Sequence, residues 1–266
     1  MTNPLFVKRY GTGERVIVGL HGWNGSHQSF DAILPFMPED VSFYCLDLPG
    51  YGQSPEPQKW TVEEISRILA KWLQTLPTKE IEIIGSCSGA LWGLAAAMQS
   101  EQFKIKRFVL VDAFAYVPFY FRLFLYPIFG PIAYFSTFHN PIGRWITNQS
   151  LRHKRTEETD LTHSFTKVAP LTPYRYLRLL NRIRNYLFYT RLSEDKLTSN
   201  EASTAFFPGT EIVLLSGEKS FQAIKSSVGM WRKLWPSAKA HVLNGAGHLP
   251  VQEAPEQLAK VAFEGG

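Results

Sequence analysis

With 266 residues, 45% of them hydrophobic and 19% charged, the chain has the make-up of a globular domain with one good core, which excludes a disordered or fibrous protein. Its two cysteines, Cys45 and Cys87, exclude a disulfide framework and form no C-x-x-C metal pair. The net charge of +5 is local, because residues 114–205 hold twelve Lys/Arg against six Asp/Glu while the rest holds sixteen against seventeen.

Met1 to Tyr10 contains no apolar run that reads as a signal peptide, so a reducing, cytoplasmic setting is expected. Short apolar runs then alternate with amphipathic stretches, the pattern of a parallel sheet covered by helices. Val16–Leu20 is the first predicted strand and Phe43–Leu46 the second. Thr61-Val62-Glu63-Glu64 has the spacing of a capping box. The helix it opens carries Ile65, Ile68, Leu69, Trp72 and Leu73 on one face. Ile81–Ile84 is a strand, followed by a helix through Leu91, Leu94, Ala95 and Met98. Phe108–Val111 is a further strand that ends at Asp112. Ile212–Leu215 and Ala240–Leu243 complete the sheet, and a helix starts near Pro255, where a first-turn proline costs no hydrogen bond.

Residues 114–205 interrupt this alternation and read as a mostly helical cap, leaving 1–113 and 206–266 as the core. Val117–Phe138 holds nine aromatic residues, three prolines and one charge, Arg122. Its length suits a membrane span, but Pro118, Pro127 and Pro131 break it, so no crossing is expected, while a peripheral membrane contact is left open. Arg175, Arg178, Arg182 and Arg184 follow, on a helical pattern with Leu177, Leu179, Leu180 and Ile183. The basic excess is either a solvated face or an attractor for something anionic, such as a phosphopantetheine carrier, coenzyme A or an acidic lipid surface. No motif accompanies it that points to nucleic acid.

The chemistry concentrates at Gly85-Ser86-Cys87-Ser88-Gly89, directly after a predicted strand. Glycines on both sides allow a sharp strand-to-helix turn with the central side chain exposed. Together with His21-Gly22-Trp23, Asp47 to Ser54, and Gly245-Ala246-Gly247-His248, this order of landmarks resembles the α/β-hydrolase superfamily. The resemblance implies a mostly parallel sheet with helices on both faces and a nucleophile elbow, occupied here by cysteine instead of the usual serine. Cys87 at a helix N-terminus is then the expected nucleophile, and His248 the general base. Cys45, inside a strand, reads as a core residue. His21 reads as structural and His241 as part of a strand.

Many members of the superfamily place the acid in a Gly-x-x-Asp turn after the next-to-last strand; here that turn is Gly217-Glu218-Lys219-Ser220. Other relatives place it at the end of the preceding strand, where Asp112 stands. The expected triad is Cys87, His248 and Asp112, with Glu218 as an outside candidate and a Cys–His dyad as the alternative. Backbone N–H groups of Trp23 and Ser88 are the expected oxyanion hole. No metal-binding histidine spacing occurs, and no cofactor is expected.

These residues imply a hydrolase that cleaves an ester, lactone or thioester of a hydrophobic acyl group through an acyl-cysteine intermediate. The small-molecule substrate is either free or linked to a carrier or coenzyme A. The same intermediate would serve an acyltransferase or cyclising enzyme, and the missing Gly-x-x-Asp acid keeps a non-catalytic binding protein in view. Aspartate-nucleophile relatives, such as epoxide hydrolases and haloalkane dehalogenases, are disfavoured by the residue at position 87.

Overall fold

In the computed structural model, residues 5–99, 103–157, 159–163, 169, 171–189 and 207–264 are described. Seven strands form one sheet: β1 (Val7–Tyr10), β2 (Arg15–Leu20), β3 (Val41–Leu46), β4 (Glu80–Ser86), β5 (Lys104–Val111), β6 (Glu211–Gly217) and β7 (Lys239–Leu243). Their order across the sheet is β1-β3-β2-β4-β5-β6-β7. Neighbours are parallel except β1, which pairs antiparallel with β3. Six strands contain the apolar runs predicted from sequence. The edge strand β1 was not predicted, because Val7-Lys8-Arg9-Tyr10 is short and charged at its centre. Such charges blunt an exposed sheet edge.

Strand parity divides the apolar side chains between two cores. Val16, Val18, Leu20, Ile81, Ile83, Phe108 and Leu110 join one core, while Ile17, Ile84, Val109, Val111, Val213 and Leu215 join the other. A side-chain period of two on strands covered on both faces gives this split. The first core is closed by α1 (Val62–Leu73) and α2 (Ser88–Ala97), and the second by a 3₁₀ segment at His27–Phe36 and the C-terminal α9 (Pro255–Ala259). Thr61 caps α1 by accepting from the Glu64 N–H at 3.2 Å. The other half of the expected box is replaced, because the Glu64 carboxylate pairs with Arg67 one turn on.

Between β5 and β6 lie α3 (Phe119–Arg122), α4 (Phe129–Phe138), α5 (Pro141–Ser150) and α6 (Leu171–Tyr189). Pro118 stands before α3, Pro127 between the two apolar helices and Pro131 in the first turn of α4, so the apolar stretch is cut into short pieces. Among the described residues no helix is long and apolar enough to cross a membrane. Most of this segment packs on itself through Phe124, Tyr134, Phe138, Tyr174 and Leu177. The helix α6 does more, sending Tyr176, Leu179, Ile183 and Leu187 into the first core beside Leu91 and Trp92. After β6 come α7 (Gln222–Leu234) and, beyond β7, α8 (Pro250–Glu253).

Candidate active site

The loops that follow β2, β4, β5, β6 and β7 meet at one edge of the sheet, where open parallel sheets bind their ligands. Cys87 sits between β4 and α2 with φ of 50°, a left-handed backbone for a residue with a side chain. Such a conformation costs on the order of 1–3 kcal/mol and persists only where its surroundings enforce it. Here the enforcement is close packing: a Cβ on Gly85 would overlap the backbone of Ala90, and one on Gly89 the carbonyl of Leu20. The Cys87 N–H also donates to Val111 O at 2.7 Å. The thiol is left half-buried.

His248 enters from the loop after β7. Its Nε2 lies 3.9 Å from the sulfur of Cys87, and its Nδ1 lies 2.8 Å from Oδ2 of Asp112. Asp112 follows β5, is fully buried, and also has a positive φ, 48°. Its Oδ1 accepts from the Gly217 N–H at 2.9 Å, and its Oδ2 accepts from the Ser220 hydroxyl. A carboxylate in this position accepts only, so Nδ1 donates to Asp112 and Nε2 is the nitrogen that faces the sulfur. Burial opposes charge on His248, yet hydrogen bonds to Asp112 and Cys87 outweigh it and raise the imidazole pKa to about 10.

Sequence reasoning left two places for an acid, and the geometry relates them. Ser220 occupies the superfamily's more common acid position and donates to the carboxylate that comes from the other strand. The outside candidate Glu218 is not brought to the imidazole; its carboxylate accepts from the Gly245 N–H at 2.8 Å at the surface. Cys45 is buried in β3. His21 is a structural link: its Nε2 accepts from Leu48 N–H at 2.9 Å and its Nδ1 donates to Gly22 O at 2.8 Å. Burial holds its pKa down to about 4.

Gly22 packs directly on the Cβ of Cys87, which brings the His21-Gly22-Trp23 turn beside the sulfur. Ser88 is the first residue of α2, so its N–H has no acceptor within the helix. The Trp23 indole donates to Pro173 O at 2.7 Å and meets Phe121 and Phe138 edge-on. Phe221 stands edge-on to the His248 ring at 4.8 Å.

Two cavities share Trp23, Cys87, Phe121 and His248 in their walls. One, of about 40 Å³, is lined further by Leu91, Trp92, Phe114, Tyr176, Leu177 and Leu180. The other, of about 570 Å³, extends under α3 to α5, with Phe124, Phe138, Leu161 and Val251 beside polar Ser29, Asp160, His163 and Gln252. The sulfur stands where they meet.

Glu253 was not anticipated. Its Oε2 accepts from the N–H groups of Gly247 at 2.6 Å and Leu249 at 3.2 Å, on either side of His248. Its Oε1 accepts from Thr156 N–H at 2.8 Å and the Thr159 hydroxyl at 2.5 Å. A glutamate in a one-turn helix has no sequence signature, and only the fold gives it this role. Glu253→Ala leaves four donors without their acceptor and is expected to lower unfolding stability by about 2 kcal/mol, to be read by urea denaturation.

The family model described as alpha/beta hydrolase fold matches residues 15–255. The chain is 26% identical over 253 residues to the uncharacterized hydrolase YugF of Bacillus subtilis, covering 93% of this chain and 88% of that protein. A pimeloyl-(acyl-carrier protein) methyl ester esterase of Neisseria meningitidis is 28% identical over 96 residues, 36% of each chain. Among solved structures, the epoxide hydrolase VrEH1 from Vigna radiata superposes with a TM-score of 0.69 at 19% identity, covering 98% of this chain and 93% of that one. A lipase-esterase related protein from Clostridium acetobutylicum gives 0.62 at 14% identity, covering 96% and 97%. These structural likenesses speak for the fold, and the elbow, the sheet order and the family match agree with them. The chain belongs to the alpha/beta hydrolase fold family.

Proposed function

We propose that this protein is an ester or thioester hydrolase in which Cys87 is the nucleophile, His248 the general base and Asp112 the acid that orients it. The observation that carries this reading is the unbroken path from the Cys87 sulfur through both nitrogens of His248 to Asp112, at the wall of a cavity large enough for a lipid-sized group. Sulfur attacks the carbonyl carbon while His248 Nε2 holds the proton given up by the thiol. The tetrahedral oxyanion is met by the N–H groups of Trp23 and Ser88. Collapse expels the alkoxide or thiolate, which takes the proton back from His248 and leaves an acyl-cysteine. A water that gives its proton to Nε2 then attacks the acyl-cysteine, releasing the carboxylic acid and restoring the thiol.

The paired cavities bear on the substrate. A carbonyl at the sulfur would have about 40 Å³ of apolar space on one side and about 570 Å³ on the other, which suits a compound with one short apolar arm and one long arm. Residues 114–205 act in this reading as a cap over a core of 1–113 and 206–266. The ester chemistry named for the Neisseria relative, over the third of the chain that matches it, leans the same way.

Mixing the protein with p-nitrophenyl esters of increasing acyl length tests this. Mass spectrometry is expected to find an acyl group on the Cys87 peptide that decays in water. An adduct that persists until an alcohol or thiol is added would instead mark acyl transfer. No adduct, with the ester bound intact, would overturn the catalytic reading.

A further inference from the structure

From Ala113 to Thr156 the chain contains no Asp or Glu and five Lys or Arg. The same stretch gathers the molecule's exposed apolar surface. Of thirteen large hydrophobic side chains exposed among the described residues, ten fall between Phe119 and Ile146, so the exposure belongs to one region and is not the usual scatter.

Each short helix there has an outward apolar face. Phe119, Leu123 and Tyr126 follow one another at helical spacing through α3 and the turn after it. On α4, Tyr134 and Phe138 are buried while Phe129 and Ile132 point away, Phe129 being 71% exposed. On α5, Ile142, Trp145 and Ile146 share one face, and Trp145 is 64% exposed. Gly143 lets α5 lie close against the carbonyl of Ser136 on α4, so these faces adjoin. Arg122 and Arg152 are exposed within the same stretch.

We infer that this surface docks on an anionic lipid bilayer, lying in its interface. A protein partner would need acidic groups to match, whereas a membrane offers both an apolar layer and a negative surface. Short amphipathic helices with Trp, Tyr and Phe outward, on a stretch of chain whose charged residues are all basic, are what interfacial binding requires. Absence of any helix long enough to cross among the described residues makes this a surface attachment. Tyr120 and Ile146 are exposed and also line the larger cavity, so the apolar surface reaches the cavity mouth. If the hydrolase reading holds, an acyl chain can pass from the bilayer towards Cys87 without crossing water; the docking itself does not depend on that reading.

The test uses the full chain with sucrose-loaded vesicles, of phosphatidylcholine alone and of phosphatidylcholine with phosphatidylglycerol. Co-sedimentation with the phosphatidylglycerol vesicles is expected, weakened about tenfold or more in Phe129→Glu/Trp145→Glu, which places two charges in the docking face. It should also weaken when salt is raised from about 0.1 M to about 1 M. Neither residue lines either of the two cavities beside Cys87, and both side chains are exposed, so hydrolysis of a soluble p-nitrophenyl ester and the melting temperature should be unchanged in that variant. Protein left in solution with both vesicle types, or equal binding to both, would overturn the inference. So would a dimer in sedimentation velocity that the double variant dissociates, since a second copy would then own this face.

Discussion

Cys87→Ala is expected to lower p-nitrophenyl ester turnover by on the order of 10⁴-fold, because the nucleophile of a cooperating set leaves little behind except binding and oxyanion stabilisation. The fold should persist: the change removes one half-buried sulfur, and the elbow is held by Gly85, Gly89 and the Cys87 N–H bond to Val111. An unchanged melting temperature beside lost turnover is the result to look for. A second measurement reads the pairing itself. Burial pushes the His248 pKa down, and contacts with Asp112 and Cys87 together lift it to about 10. Removing the sulfur deletes its hydrogen bond and its charge while burial and Asp112 remain, so the pKa should fall. The imidazole nitrogens, followed by ¹⁵N NMR through a pH series, report it. An imidazole that still titrates near its parent value in Cys87→Ala would remove the sulfur as its partner, and turnover that survives would move the nucleophile elsewhere.

Asp112→Asn is expected to cost about 10²–10³-fold in kcat. Asparagine fits the volume and tolerates the positive φ of this position, and its carbonyl can still accept from Gly217. Its amide would then present a donor to both Nδ1–H of His248 and the Ser220 hydroxyl, which now donate to the carboxylate. The imidazole is left without its orienting acceptor. The loss should be smaller than for a serine enzyme, because a thiol ionises more readily and needs less help. Adding Ser220→Asp to Asp112→Asn offers a carboxylate from the other strand, and partial recovery of kcat with little change in KM is expected. Near-normal rates in Asp112→Asn alone would mean that Cys87 and His248 work as a dyad.

Much of this was legible before any coordinates. Six strands announced themselves because strands buried on both faces are continuous apolar runs, and the elbow because Gly85 and Gly89 bracket a cysteine straight after one of them. Asp112 became the first candidate for the acid by its position at a strand end, and its carboxylate lies beside His248. What stayed hidden depends on groups brought together from far apart. Ser220 as a donor to Asp112, 108 residues away, and Glu253 as the acceptor for Thr156 and Thr159, 97 and 94 residues away, are single polar residues with no local signal. The α6 pattern gave a helix, but its entry into the first core beside Trp92 is decided by packing. The edge strand β1 escaped because it has only one neighbour, β3, and little apolar content to betray it.

The stitching around His248 has a mechanical consequence. His248 N–H is tied to Lys154 O at 2.9 Å, and Glu253 fastens the adjoining peptide groups to Thr156 and Thr159. Thr159 directly precedes Asp160 and Leu161 in the wall of the larger cavity, so in the proposed reaction the stretch of chain that shapes the substrate space also sets where the imidazole stands.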